Sequence, residues 1–202
     1  MSSSSDLPGF QAALEALKLG SPVVFPTDTL YGLGVSVRDA ESPEVLYEIK
    51  KRPQRKPVAW LVSGVDDLRR YGSCVPEYVF ALARTFWPGP LTIVVQASAE
   101  VPEAFRSAQD TIGLRCPAGD TALGLIRELG CPIATTSANL SGHKSPMSAD
   151  QLDSRLTDQV AAVLCDQDEK SGVASTIVDC SQGHPVLLRE GSISLDEIRA
   201  RS

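Results

Sequence analysis

The chain has 202 residues, 43% of them hydrophobic and 5% aromatic, and a formal net charge of −6. That acid excess argues against a protein that coats duplex nucleic acid, and no apolar run approaches membrane-spanning length. A chain of this size buries about 70% of its unfolded surface without help from disulfides or metals, so one domain over 7–202 behind a disordered polar tail at 1–6 is expected. Met1 to Pro8 has neither the basic nor the apolar region of a signal peptide. The five cysteines are scattered with no C-x-x-C, and the two histidines cannot complete a zinc site of familiar spacing. The cysteines read as small buried apolar residues in a reducing cytosol, which places the protein in the cytoplasm.

In chain order, Leu7 to Leu19 sets Phe10, Ala13, Leu14 and Leu17 on one helical face, with Asp6 as N-cap and Gly20 as stop. Pro22 to Phe25 is a short buried strand that empties into a polar, glycine-bearing loop, Pro26 to Gly34. Ser42-Pro43 opens a second helix with Val45, Leu46 and Ile49 turned inward. Val58 to Val62 reads as a strand, Pro76 to Phe86 as a helix and Trp87-Pro88-Gly89-Pro90 as a rigid architectural turn before the strand Leu91 to Val95. Thr111 to Cys116 is a strand, Thr121 to Leu129 a helix stopped by Gly130, and Ile133 to Thr136 a further strand. Ser148-Ala149-Asp150-Gln151 has the form of a capping box, and Ser194-Leu195-Asp196-Glu197 caps a C-terminal helix. Val160 to Cys165, Ser175 to Val178 and Pro185 to Leu188 complete the strands, the last delivering Arg189. Helices and strands interleave throughout, which predicts an α/β (α+β) domain around one twisted mixed sheet.

Three stretches carry candidate chemistry. Pro132 to Gly142 runs from a strand into Ser137, Asn139 and Ser141, small polar groups that can donate to anionic oxygens, although an ordinary Ser/Asn/Gly turn has the same composition. Lys50 to Pro57 gathers five of the chain's 19 basic residues beyond a helix that Pro53 cannot continue. It suits either a polyphosphate clamp or a helix end matched to its dipole. Arg115 lies in an apolar strand, where a guanidinium must find a partner or face a cleft. Neither a G-x-x-x-x-G-K-[ST] nor a G-x-G-x-x-G sequence is present, so a nucleotide would be held by other means.

Taken together, six stretches closely resemble the YrdC-like threonylcarbamoyl-AMP synthase family in order and spacing: Pro-Thr-Asp-Thr-Leu-Tyr-Gly-Leu-Gly at 26–34, Lys-Lys-Arg-Pro at 50–53, Trp-Pro-Gly-Pro-Leu-Thr at 87–92, Gly-Leu-Arg-Cys-Pro at 113–117, Thr-Ser-Ala-Asn-Leu-Ser-Gly at 136–142 and Ser-Thr-Ile-Val-Asp at 175–179. The resemblance extends from Leu7 onward and implies helices flanking a sheet curved around a basic-lined cavity. It implies synthesis of threonylcarbamoyl-adenylate and pyrophosphate from L-threonine, bicarbonate and ATP, with Mg²⁺ held by phosphates and water. A downstream tRNA-modifying transferase complex would take the product, and a weak tRNA contact is implied with it.

By the same resemblance, the family's K-x-R and S-x-N tetrad falls on Lys50, Arg52, Ser137 and Asn139. Thr29, Arg115 and Ser175 would hold threonine, with Thr135 lending backbone, and Lys56, Thr111, Ser145 and Arg189 would join Arg52 and Ser137 around ATP. Leu61 departs from the pattern, standing where some longer relatives carry a histidine near the threonine, and the chain resembles the short, single-domain form. Two other readings stay open: an RNA-binding module without catalysis, and a relative that forms carbamoyl-adenylate from carbamoyl phosphate. No general base is identifiable.

Overall fold

The computed structural model describes residues 7–51 and 57–201. Nine strands form one mixed sheet. They are β1 (Val23–Pro26), β2 (Tyr31–Ser36), β3 (Ala59–Leu61), β4 (Leu91–Gln96), β5 (Thr111–Arg115), β6 (Ile133–Ser137), β7 (Ala162–Val163), β8 (Thr176–Asp179) and β9 (Val186–Arg189), in the spatial order β7-β1-β2-β6-β3-β5-β4-β8-β9. The pairs β1–β7, β3–β5 and β4–β8 are parallel and the other five antiparallel. Helices α1 (Phe10–Lys18), α2 (Glu44–Lys50), α3 (Asp66–Tyr71), α4 (Glu77–Phe86), α5 (Asp120–Leu129), α6 (Ser154–Thr157) and α7 (Leu195–Arg199) flank it. This is the mixed α/β sheet that the interleaved sequence pattern predicts.

Alternation along the strands divides the core in two. Val24, Leu33, Trp60, Leu114 and Ala134 turn to one face, where Leu46, Leu68, Val79 and Leu82 of α2 to α4 cover them. Val23, Phe25, Leu61 and Ile133 turn to the other face, under Phe10, Leu14 and Leu17 of α1 and Leu125 and Leu129 of α5. Trp60 is fully buried in the larger cluster, edge-on to Tyr71 at 5.2 Å and Phe105 at 5.7 Å, contacts worth about 0.5–1.5 kcal/mol each beyond area burial. Because α1 and α5 reach only part of the second face, its remainder is left open, and the site lies there.

Several local expectations change. Asp6 falls outside the described residues; α1 opens at Phe10, with Gly9 in the N-cap position and no side-chain cap bond. The stretch 26–34 is a turn followed by a strand, because Tyr31–Ser36 folds back on β1 as an antiparallel hairpin. Its unbroken burial hides the alternation that would have revealed it. The helix after Ser42 buries Leu46 and Ile49 together with Tyr47 and Lys50, while Val45 is only half-buried. Ser148 caps nothing: Ala149–Gln151 is a single 3-10 turn, and the helix begins later, where Asp153 accepts from Arg155 N. The box at Ser194 does form, with Glu197 reciprocating. Gly130 ends α5 in the left-handed conformation at φ 71°, which favours glycine. Of the cysteines, Cys116 and Cys180 are buried, and burial pushes both thiols up to about 11. Cys131 and Cys165 are half-buried and pack against the core, and Cys74 is exposed, so it departs from the expectation of buried cysteines. No helix among the described residues is long and apolar enough to cross a membrane.

Candidate active site

The open part of the second sheet face holds a cavity of about 250 Å³. Its floor is small because the strands present Gly32, Ala59, Thr92, Thr135 and Ser137 toward it, with Leu61 as an apolar wall. Of the residues singled out from sequence, Thr29, Arg115, Thr135, Ser137, Ser145, Ser175 and Arg189 all line this cavity. They come from three strands, β5, β6 and β9, and from the loops before β2, after β6 and before β8, so only the folded sheet brings them together.

At one end Arg115, at the end of β5, is buried with side-chain exposure of 8%. Its Nε donates to Gly89 O at 3.1 Å, Nη1 to Thr29 Oγ1 at 3.0 Å and Nη2 to Asp28 Oδ1 at 2.7 Å. Burial draws the guanidinium below its ordinary value, while the Asp28 charge opposes that shift. Thr29 is held in turn. Thr27 gives its one hydroxyl hydrogen to Leu30 O at 2.7 Å, so in the 3.1 Å Thr27–Thr29 contact the Thr29 hydroxyl is the donor and its lone pairs are left for Arg115.

The other rim carries Ser175 and Arg189. The Ser175 hydroxyl meets Thr92 Oγ1 at 2.9 Å, while Arg189 donates to Ser175 O through Nε at 3.0 Å and Nη2 at 2.7 Å. Residues 164–175 join β7 at one sheet edge to β8 near the other, crossing by way of the β1–β2 turn. The crossing is pinned by Ser171 N to Asp28 O and Gly172 N to Thr29 O, both 3.1 Å. Within it the Lys170 ammonium meets both Asp166 oxygens at 2.7–2.8 Å, with side-chain exposures of 2% and 6%. The same ammonium lies 5.9 Å from the ring of Tyr31, whose hydroxyl burial pushes up to about 12.

Lys50 and Asn139 sit behind the lining. Lys50 is 3% exposed and donates to Ser137 O, to Asn139 O at 2.5 Å and to Asn139 Oδ1 at 3.1 Å. Ser141 N returns a bond to Lys50 O at 2.9 Å, which ties the exit turn of β6 to the end of α2. Asn139 Oδ1 accepts from the Ser137 hydroxyl at 2.5 Å, and its Nδ2 donates to Leu140 O at 3.1 Å and His143 O at 2.6 Å. Both residues thus set the turn that presents Ser137. Thr111 stands apart, its hydroxyl on Ser107 Oγ at 2.6 Å, four residues along β5 from Arg115. Arg52 and Lys56 lie outside the described residues. Asp28, Thr27 and Thr92 were not singled out from sequence. The need of an arginine in an apolar strand for a partner or a cleft was legible, but which partner met it was not.

The chain matches the Sua5/YciO/YrdC family model, described as telomere recombination, over residues 15–191. It is 37% identical over 182 residues to the threonylcarbamoyl-AMP synthase of Pyrococcus abyssi, covering 90% of this chain and 54% of that protein. It is 34% identical over 198 residues to the Bacillus subtilis enzyme of the same name, covering 98% and 57%. The chain thus spans just over half the length of these relatives. The crystal structure of P. abyssi Sua5 complexed with L-threonine superposes with a TM-score of 0.88 at 36% identity, covering 95% of this chain and 56% of that one. A family match running from α1 into the end of β9, on a sheet that superposes this closely, leaves one assignment: the chain belongs to the Sua5/YciO/YrdC family.

Proposed function

We propose that this protein condenses L-threonine, bicarbonate and ATP into threonylcarbamoyl-adenylate, releasing pyrophosphate, and that Thr29, Arg115, Thr135 and Ser175 hold the threonine. The carrying observation is the convergence of these four residues on one cavity, in a chain 36% identical to a relative solved with L-threonine bound. Arg115 supplies a fork for the carboxylate. Ser137 and Ser145 face the phosphates, with Arg189, Arg52, Lys56 and Thr111 completing the ATP set. Lys50 and Asn139 hold Ser137 in register. A cavity of about 250 Å³ is below the roughly 300–1,000 Å³ typical of sites for drug-sized ligands, so the nucleotide extends out of its mouth.

The reaction needs no covalent protein intermediate. The threonine amine bonds to the carbon of bicarbonate with loss of water, or to CO₂ with release of a proton to solvent, giving a carbamate. A carbamate oxygen then attacks the α-phosphorus in line, and the bond to the β-phosphate bridging oxygen breaks. Alignment and neutralisation of charge on the phosphoryl oxygens are what the protein contributes. The lining offers hydroxyls and guanidiniums and, among the described residues, no carboxylate. That fits a magnesium ion carried on the phosphates and their water, where it neutralises phosphate charge. The product is passed to a tRNA-modifying transferase complex in the cytoplasm, with at most a weak tRNA contact by this chain.

The test is pyrophosphate release together with incorporation of labelled bicarbonate into an acid-labile AMP conjugate. Both should require ATP and threonine together. Release without threonine, or release supported by carbamoyl phosphate in its place, would overturn the reading; salt-sensitive tRNA binding with no turnover would support an RNA-binding module instead.

A further inference from the structure

A guanidinium carries five N–H groups, one on Nε and two on each terminal nitrogen. Arg115 uses Nε on Gly89 O, one Nη1 hydrogen on Thr29 and one Nη2 hydrogen on Asp28. One N–H therefore remains on each terminal nitrogen of a side chain that lines the cavity. Where that pair shares the edge between Nη1 and Nη2, a carboxylate accepts it with two parallel bonds.

Asp28 does not line the cavity, so it does not compete for the ligand. Its backbone is held from two sides. The crossing segment donates to Asp28 O and Thr29 O at 3.1 Å, and the start of α5 is pressed so close that a Cβ on Gly119 would lie 3.1 Å from Asp28 N. With its backbone fixed, the 2.7 Å bond to Nη2 sets the rotation of the guanidinium plane. It also supplies the opposite charge that a buried cation requires.

Resting on the threonine reading above, we infer that Asp28 is a positioning residue: by engaging one edge of Arg115 it aims the two remaining N–H groups at the substrate, and so sets selectivity for a free α-carboxylate over its amide. Removal of the carboxylate, acceptor and charge together, releases the plane. The substrate then loses a preset fork, and the distinction between carboxylate and carboxamide goes with it.

The experiment compares L-threonine with L-threoninamide by calorimetric titration of the full chain, wild type against Asp28→Ala, alongside a non-hydrolysable ATP analogue. The wild type should prefer the acid by about a hundredfold, the scale of a paired charge-assisted fork. In Asp28→Ala, which removes the acceptor that Nη2 uses, the acid-to-amide ratio should fall at least about tenfold, with analogue affinity changing less than about twofold. If the ratio stands, or rises as loss of a neighbouring negative charge alone would make it, Asp28 does not aim the fork and the inference fails while the threonine reading survives. A wild type that binds amide as well as acid refutes both. Should Asp28→Ala not fold, Asp28→Glu keeps the charge and displaces the fork by one methylene; an unchanged ratio there also overturns the inference.

Discussion

Replacing Lys50 by methionine separates a cation that faces substrate from one that builds the turn. Its ammonium bonds Ser137 O, Asn139 O and Asn139 Oδ1. Without it, Ser137 O keeps Asn139 N–H and Asn139 Oδ1 keeps the Ser137 hydroxyl, whereas Asn139 O has no other donor in the turn. Charge-assisted bonds contribute about 1.5–3 kcal/mol each and a bare buried carbonyl costs about 1–3 kcal/mol. Release of the ammonium's own desolvation cost, several kcal/mol, offsets part of that sum. The net loss is then about 2–4 kcal/mol, or a fall in Tm of about 5–15 °C for a domain of this size. Scanning calorimetry of Lys50→Met against the parent, with a urea titration to check that the m-value is unchanged, reads it directly. Loss of activity with a Tm within about 1 °C of the parent, a change below about 0.5 kcal/mol, would refute the turn-building role and leave Lys50 as a charge that acts only on ligand.

Asn139→Ala should lower melting temperature and turnover together, since the amide's donors are spent on Leu140 O and His143 O; a 10²–10³-fold loss of turnover at unchanged Tm would instead make it a donor to the transition state. Arg52→Ala is expected to abolish most pyrophosphate release with stability changed by no more than about 0.5 kcal/mol, and near-normal synthesis would remove it from the ATP set. Arg115→Lys should weaken threonine binding far more than ATP binding, because an ammonium cannot replace the bidentate fork; equal losses by calorimetry would point to the strand rather than the ligand. Breaking the buried Asp166–Lys170 pair with Lys170→Met should cost about 3–5 kcal/mol, and the double change Asp166→Leu, Lys170→Met should recover most of it; equal melting temperatures for single and double variants would refute that.

What could be read in the sequence was periodic or chemically demanding. The α1, α4 and α5 faces follow from apolar spacing, and the Ser194 box from its hydroxyl and glutamate three residues apart. Arg115 announced a need for partners simply by lying in an apolar strand. What could not be read depended on the second strand face. Tyr31–Ser36 is buried at every position, so it shows no alternation, and its two glycines suggest a loop. The basic run looked like a solvated helix end or a phosphate clamp. Lys50, its first member, is instead folded into the protein by carbonyl oxygens 87 and 89 residues away in sequence. Sequence spacing carries no trace of contacts at that range. Thr111 shares a strand with Arg115, and its hydroxyl and N–H both bond Ser107 across the 107–111 turn, a pairing that sequence spacing does not announce.

The charge count also takes a different meaning inside the fold. A net charge of −6 argued against a broad basic surface, and the buried cations do not contradict it, because each is answered locally. Arg115 has Asp28, Lys170 has Asp166, and Lys50 has the oxygens of its turn. The cavity is therefore not a reservoir of unscreened positive charge at its amino-acid end. An arriving carboxylate meets a guanidinium already paired on one edge, so most of its recognition comes from the direction of two N–H groups rather than from long-range attraction. Arg189 at the other rim is exposed yet is held in direction as well, donating to Ser175 O through Nε and Nη2. On the proposed reading, the amino-acid carboxylate meets a preset fork and the phosphates meet a guanidinium whose direction Ser175 fixes, which is the alignment needed to place a carbamate against one phosphorus of a triphosphate.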